Sequence, residues 1–357
     1  MKKLSRLIPK NHFCSFFLFR EEPLISWKYT KSILFTAYDV YRSSSFWIDE
    51  MMREGKTLKE GLMELGFPKD VTLMADTGIF EVEAKKAGIS NKLGINVDFE
   101  LSNEEIFQAY EISGADFFVA PDEIISPLDT KDIVRKKVTK IKNNLLQILS
   151  FFPSSQVIGV IQGCNSQTIE SLFDFYKECG IRYFARGGVI PLYRYDTKLF
   201  EQVLQKSREI TTGYWLHTFG LPRVFLLTYY LRKLGFDSVD TSLLLYLSAR
   251  KKYLIGINSR PVRLVDFSKC DCEGCRMLHN LRKNRAVYGK EFFVYLYIHN
   301  ILEAVRISSD SVSERLETDQ REVTTKKTKI KPSGQKTSVD GDWTTGSELM
   351  ERRLDYR

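Results

Sequence analysis

Two aspartates follow directly on apolar runs of the sequence, a position that suits catalytic chemistry. Asp76 ends the run VTLMAD (71–76), and Asp240 ends the run FDSVD (236–240). Carboxylates in such positions can carry out covalent or acid–base catalysis, and we interpret Asp240 as a nucleophile. The alternative is a structural role, because Asp at the end of a strand often caps a helix or forms a turn.

A second group of reactive side chains combines three thiols with one imidazole. Its members are Cys270, Cys272, Cys275 and His299, in the pattern C-x-C-x2-C followed by a distant His. Three thiolates and one imidazole form a closed tetrahedral site, which is the structural form for Zn²⁺ and leaves no position open for catalysis. The alternative is a set of unrelated reduced cysteines. For His217 and His279 the sequence suggests no partner.

The two aspartates belong to a repeated pattern in which an apolar strand leads into a polar or Gly-rich turn. The strand-like runs lie at 71–76, 115–123, 157–163, 181–188, 214–220 and 236–242, with helical patterns between them. Their ends carry Asp76, Asp122, Gln162, Gly187 with Gly188, Phe219 with Gly220, and Asp240. Repeated βα units of this kind predict a parallel α/β protein, in which all strand ends lie on one side.

An eight-stranded (β/α)8 TIM barrel accounts for these units and for the chain length. Two or so further strands in residues 1–70 and after 245 would complete the barrel, and the strand ends would then surround one mouth, where active sites form. A doubly wound sheet is the alternative, but no GxGxxG follows the first strand. We predict a barrel domain over residues 1–306 with a zinc-binding insertion at about 266–302, and a disordered polar tail over 307–357.

The composition favours an anionic partner. The formal net charge is +8 and the sequence pI is about 9.0. Basic residues flank the metal segment, namely Arg250, Lys251, Lys252, Arg260, Arg263, Arg276, Arg282, Lys283, Arg285 and Lys290. They predict a phosphate-binding surface, although a solvated face is the usual explanation for such runs. The apolar run at 13–19 is too short to span a bilayer, so we expect a cytoplasmic protein with no membrane partner.

Several short motifs, in this order, resemble those of the tRNA-guanine transglycosylase family. DTGIF (76–80) resembles the DSGGF/Y motif, VIQG (160–163) resembles VQG, and GGVIPL (187–192) and HTFG (217–220) resemble the archaeal-type GGVVPL and HLFG. The segment 235–250 is similar to the one around the nucleophilic aspartate, and CxCxxC with the later HN is similar to the zinc insertion. The resemblance covers roughly residues 70–305.

The resemblance implies a zinc-bearing barrel that exchanges guanine in a polynucleotide for a 7-deazaguanine such as 7-cyano-7-deazaguanine. Asp240 would form a covalent glycosyl intermediate, and Asp76 would be the general acid/base. The remaining site residues would bind the base: Asp122 and Gln162 at its edge, the backbone at Gly187 and Gly188 at its carbonyl, and Phe80 and Phe219 on its two faces. Bases that react in this way must leave the stack, and aromatic rings hold flipped bases well.

The chain also departs from the family pattern, which bears on the choice of polymer. The first 60 residues differ from the usual opening, Ile79 replaces a second Gly, and HTFGLP is shorter than the corresponding loop. Archaeal tRNA enzymes usually carry C-terminal RNA-binding domains, whereas the DpdA group acts on DNA with a compact chain. The altered opening, and a polar tail in place of an RNA-binding domain, favour DNA over tRNA. A non-catalytic nucleic-acid-binding subunit is a third possibility. The sequence leaves open whether the protein forms a homodimer or works with partner proteins.

Overall fold

Short apolar runs form eight parallel strands, and these close into a barrel in the computed structural model. The strands are β1 (His12–Phe16), β2 (Ser32–Thr36), β3 (Thr72–Asp76), β4 (Phe117–Val119), β5 (Val157–Ile161), β6 (Tyr183–Arg186), β7 (Trp215–Thr218) and β8 (Ser238–Thr241). Neighbours along the chain pair in parallel, and β8 pairs with β1. The predicted (β/α)8 barrel is confirmed.

The structure describes residues 12–16, 28–30, 32–42, 53–64, 68–70, 72–79, 82–83, 100–283 and 289–328, and for 12–16, 41–42, 62, 290 and 311–328 it describes the backbone only. The predicted site residue Phe80 and the basic residue Arg285 therefore lie outside the described residues, as does the segment 329–357.

Alternation along the strands divides the core into two layers. In β5, Ile158 and Val160 point into the barrel, whereas Val157 and Ile161 pack outward against the helices. The barrel interior is filled by Leu34, Met74, Phe117, Val119, Ile158, Val160, Ala185 and Trp215. This packing is typical of a barrel whose interior is a core rather than a pore.

Helices follow the strands and form the outer layer. They are α1 (Ala37–Arg42), α2 (Leu58–Glu64), α3 (Asn103–Ser113), α4 (Lys131–Leu149), α5 (Ser166–Glu178), α6 (Val189–Tyr195), α7 (Thr197–Ile210), α8 (Phe225–Thr228) with a π-helical turn Tyr229–Leu234, and α9 (Leu243–Ala249). Their ends follow local signals: Ser102 and Glu105 form a capping box on α3, and Gly114 ends that helix in the left-handed region.

The strands that complete the barrel both precede residue 70. The run at 13–19 predicted no element, yet most of it belongs to β1, which hydrogen-bonds to β2 and β8 and closes the barrel. The expectation of a barrel strand after residue 245 is wrong. The strands found there, β9 (Lys252–Ile255) and β10 (Asn258–Pro261), form a separate antiparallel pair, because a two-residue turn at 256–257 reverses the chain.

Two further helices carry the C-terminal part of the described chain. They are α10 (Glu273–Lys283) and α11 (Lys290–Thr328). The second continues past residue 306, where the predicted disordered tail begins. The chain divides into two units, Met1–Arg315 and Leu316–Arg357, and the site residues discussed below lie in the first.

At the end of the barrel away from the mouth, two aspartates make the same pair of hydrogen bonds to a neighbouring strand. The carboxylate of Asp116 accepts a hydrogen bond from the Leu73 backbone N–H at 2.8 Å, while the Asp116 N–H donates to the Leu73 carbonyl at 2.9 Å. Asp237 makes the same two bonds with Leu216, at 2.9 and 2.8 Å. These carboxylates stabilise strand starts, which distinguishes them from the aspartates at the mouth.

Candidate active site and metal centre

Asp240 lies near the end of β8 at the mouth of the barrel, with its side chain 13% exposed. Its Oδ1 accepts a hydrogen bond from the Gly220 N–H at 2.7 Å. Gly220 has a φ of +81°, and a Cβ there would lie 2.9 Å from the Ile190 side chain, so glycine permits this approach. Oδ2 has no hydrogen-bond partner within the described part of the chain, which leaves one carboxylate oxygen held and the other available.

His217 also contacts this carboxylate, although the sequence suggested no partner for it. The Nε2 of this buried ring lies 3.3 Å from Asp240 Oδ1, and Nδ1 lies 2.7 Å from Ser238 Oγ. A carboxylate accepts only, so Nε2 carries the proton and the Ser238 hydroxyl donates to Nδ1. The strand register explains this contact. His217 pairs with Ser238, which lies on the same face of β8 as Asp240.

Asp76 lies at the end of β3, where its Oδ2 accepts a hydrogen bond from the Gly78 N–H at 3.1 Å. Burial, together with the negative charges of Asp122 and Asp240, raises the pKa of Asp76 to about 8. The N–H groups of Gly78 and Thr77 oppose this shift without cancelling it. At neutral pH the Asp76 carboxyl is therefore mainly protonated and able to donate a proton.

Asp122 and Gln162 form a buried pair on the neighbouring strand ends. Gln162 Nε2 donates to Asp122 Oδ2 at 2.6 Å, and the Gln162 side chain is 1% exposed. Burial raises the pKa of Asp122 to about 7, although the Gln162 hydrogen bond acts in the opposite direction. Gln162 Oε1 is buried and has no hydrogen-bond partner among the described residues, so it is an acceptor that a ligand could satisfy.

The double glycine after β6 makes room for this amide. A Cβ at Gly187 would collide with Gln162 Nε2, and a Cβ at Gly188 would lie 2.8 Å from Gln162 Oε1. Gly188 also has a φ of +67°, which favours glycine. Both positions therefore require glycine if the Gln162 side chain is to keep its place.

Of the two predicted aromatic residues, Phe219 is described. Its ring is half-buried against the barrel interior and meets the His217 ring edge-on, with the ring centroids 4.8 Å apart. His217 thus lies in contact with both Phe219 and Asp240.

The four predicted metal ligands lie together. The Sγ atoms of Cys270, Cys272 and Cys275 and the Nδ1 of His299 are all within 4.8 Å of one another. His299 Nε2 is 2.8 Å from the carbonyl of Leu254, so Nε2 carries the proton and Nδ1 presents its lone pair to the three thiols. This donor set is compatible with a tetrahedral metal ion.

Packing around the four ligands is tight. The Tyr253 ring stacks on the His299 ring at 3.7 Å, and its hydroxyl lies 3.0 Å from Cys275 Sγ. A Cβ at Gly274 would lie 2.5 Å from the Tyr295 carbonyl, so α10 can approach α11 only with glycine there. Asn300, next to His299, forms hydrogen bonds with β9 and α9. Its side chain accepts one from the Leu254 N–H and donates one to Ser248 Oγ.

The raised pKa of Asp76 predicts a pH-dependent stability. An unfolded chain releases this proton near pH 4, whereas the folded protein keeps it up to about pH 8. The stability that Asp76 contributes is therefore fully present below pH 4 and is lost as the pH rises to 8. Asp76→Asn, which is always neutral, should exceed wild type in Tm by more at pH 8.5 than at pH 5, as thermal denaturation would measure.

Asp116→Asn provides the matched control, because Asp116 pairs with Lys59 at the other end of the barrel. It should lower Tm at both pH values. Equal Tm differences for Asp76→Asn at pH 5 and pH 8.5 would contradict the assignment of a buried, protonated carboxyl.

A family model described as queuine tRNA-ribosyltransferase matches residues 42–319, which is more than half of the chain and includes the mouth carboxylates and the metal centre. No individual curated protein matches the chain. None of the helices in the described residues has the length and apolar character needed to cross a membrane.

Proposed function

Because the chain belongs to the queuine tRNA-ribosyltransferase family, whose members exchange a guanine base in nucleic acid, we propose that it replaces guanine in a polynucleotide by a 7-deazaguanine through a covalent intermediate on Asp240. Family membership makes the protein a base-exchanging glycosyltransferase. The observation that carries the proposal is the environment of Asp240, whose Oδ1 is held by Gly220 while Oδ2 has no partner among the described residues.

The first half of the reaction expels guanine. Oδ2 of Asp240 attacks C1′ of the nucleotide and forms an ester-like C–O bond, while the C1′–N9 bond breaks and its electrons remain on guanine. Asp76 protonates the departing base, a role supported by its raised pKa of about 8. His217 and Gly220 orient the Asp240 carboxylate through Oδ1.

The second half inserts the new base. The Asp76 carboxylate removes the proton from N9 of the incoming 7-deazaguanine, and N9 attacks C1′. The C–O bond to Asp240 breaks, which restores the carboxylate and leaves the modified nucleotide. Two displacements at one carbon thus exchange the base with the nucleophile regenerated.

The buried pair Asp122 and Gln162, beside the mouth of the barrel, recognises the base. Guanine presents N–H donors along one edge. The acceptors that would bind them are the Asp122 carboxylate and Gln162 Oε1, which has no partner among the described residues. The Gly188 N–H would donate to the base carbonyl, and Phe80 and Phe219 would stack on the ring. A 7-cyano-7-deazaguanine keeps the guanine edge, so the same groups can bind both bases.

We propose DNA as the polymer, with tRNA as the second candidate. DNA is supported by the first 60 residues, which differ from the opening that is usual in the family. The description of the matching family favours tRNA. Either polymer would meet exposed basic side chains near the metal centre, among them Arg250, Arg260, Arg263 and Arg276.

We also propose that the bound metal is Zn²⁺, held by Cys270, Cys272, Cys275 and His299 in a subdomain over about 266–302. Four protein ligands leave no position for substrate, so the ion would stabilise the fold and supply no step of the exchange. Thiols that must stay reduced support a cytoplasmic location.

The function can be tested by offering labelled guanine with duplex DNA, single-stranded DNA or bulk tRNA, with Asp240→Ala as the control. We expect label in DNA with wild type and none with the variant. Label in tRNA alone would replace DNA by the second candidate. Label in no polymer, with nucleic acid still bound, would contradict the enzyme and support a non-catalytic binding subunit.

A further inference from the structure

The guanidinium of Arg186 is buried beside the base-recognition pair, at the end of β6, and this side chain is unused by the chemistry above. The residue is 1% exposed. Nη1 donates to the Ile161 carbonyl and Nη2 to the Gly163 carbonyl, each at 2.7 Å. These two carbonyls flank Gln162, so one planar group holds the backbone on both sides of the residue that faces the base.

The backbone around Gln162 lies beyond the regular strand, so it needs hydrogen bonds from a side chain to hold it. Strand β5 ends at Ile161, and Gly163 has a φ of +109°, so Gln162 lies where the ladder hydrogen bonds stop. The fork geometry of Arg can bridge two nearby carbonyls, which the point charge of Lys cannot do equally well. The Gly187 N–H adds a weaker bond to the Ile161 carbonyl at 3.2 Å.

The positive charge of Arg186 also acts on Asp122. Among the described residues, no carboxylate forms an ion pair with Arg186, and the charge lowers the pKa of Asp122 against the larger effect of burial. The other groups near Asp122 are Glu123, whose charge raises that pKa, together with Asp76, Tyr110 and Tyr176. Arg186 is the basic member of this set.

We propose that Arg186 is a positioning residue for base recognition, which fixes Gln162 through the two flanking carbonyls. This inference rests on the proposed function. The bridge depends on the shape of the guanidinium, whereas its charge adds a separable effect on the pH dependence of base binding.

Two variants separate these effects in the guanine-exchange assay, with kcat and KM for guanine measured from pH 5 to pH 9. Arg186→Lys keeps the charge but loses the bridge, so KM should rise about tenfold at every pH, the effect of roughly one lost hydrogen bond. Arg186→Met loses both the charge and the bridge. Its KM should rise at least as much, and the pH below which KM rises should move up, because Asp122 without the nearby positive charge ionises only at higher pH.

Arg208→Met is the matched control. Arg208 also binds backbone carbonyls, those of Thr211 at 2.6 Å and Tyr214 at 3.0 Å, but at the far end of the barrel. It should lower Tm and leave KM and its pH dependence at wild-type values. KM does not depend on the fraction of folded enzyme, so a partly unfolded variant remains informative, and Arg186→Lys provides a milder change.

The outcomes distinguish this inference from the proposed function. If wild type exchanges guanine and both Arg186 variants keep the wild-type KM at all pH values, Arg186 is a structural residue and the inference is wrong. A raised KM for both variants without the additional pH shift in Arg186→Met would overturn the effect of its charge. Absence of exchange by wild type on every polymer would instead overturn the function.

Discussion

Asp240→Asn is expected to lower the rate of base exchange by at least about 10⁴-fold, the scale seen when a covalent nucleophile is removed. An amide oxygen is a poor nucleophile, yet Asn keeps the size of the side chain and can still accept the Gly220 hydrogen bond through its oxygen. The fold should therefore survive while the chemistry is lost. Exchange of labelled guanine, together with mass spectrometry of the protein–nucleic acid adduct, would measure the effect.

Asp237→Asn is the matched control for this variant. Asp237 lies just before β8, but its carboxylate binds the Leu216 N–H and Arg208 at the end of the barrel away from the mouth. We expect Asp237→Asn to lower Tm while the covalent adduct still forms. An adduct that persists in Asp240→Asn at the wild-type level would show that another group attacks the sugar.

Loss of the proposed Zn²⁺ is expected to have the largest effect on stability. In Cys275→Ser, a buried ligand is replaced by a hydroxyl that binds Zn²⁺ poorly, and the remaining two thiols and His299 no longer close a tetrahedron. Because metal binding is coupled to folding, we expect the free energy of unfolding to fall by about 5 kcal/mol or more. The corresponding fall in Tm is about 10 °C or more. Metal content by mass spectrometry and thermal denaturation would measure both.

Hydrogen exchange distinguishes a structural role of the metal from a chemical one. Residues 252–283 and 289–300 should lose protection in Cys275→Ser, while the strands from β3 to β8 keep it. Cys179→Ser is the control, because Cys179 lies at the end of α5 outside the ligand set. One metal ion per chain and an unchanged Tm in Cys275→Ser would contradict the assigned ligand.

Local patterns in the sequence were enough to predict the repeated units of the barrel and the composition of the cluster of three cysteines and one histidine. Each strand from β3 to β8 is an apolar run with a polar or glycine-rich exit, and such local patterns need no knowledge of the partner strand. The metal ligands were predictable for a related reason: the short spacing of Cys270, Cys272 and Cys275 places three thiols on one turn of chain.

How the barrel closes, and which groups each site residue contacts, depend on strands that are distant from one another in the sequence. β1 has no clear alternation in the sequence and is a strand because β8 and β2 pair with it on either side. The contacts of His217 with Asp240 and of Arg186 with the carbonyls around Gln162 join residues from different strands, so they depend on register. The raised pKa of Asp76 likewise requires burial beside two other carboxylates. Sequence patterns report local geometry, whereas these properties arise from groups that only the closed barrel brings together.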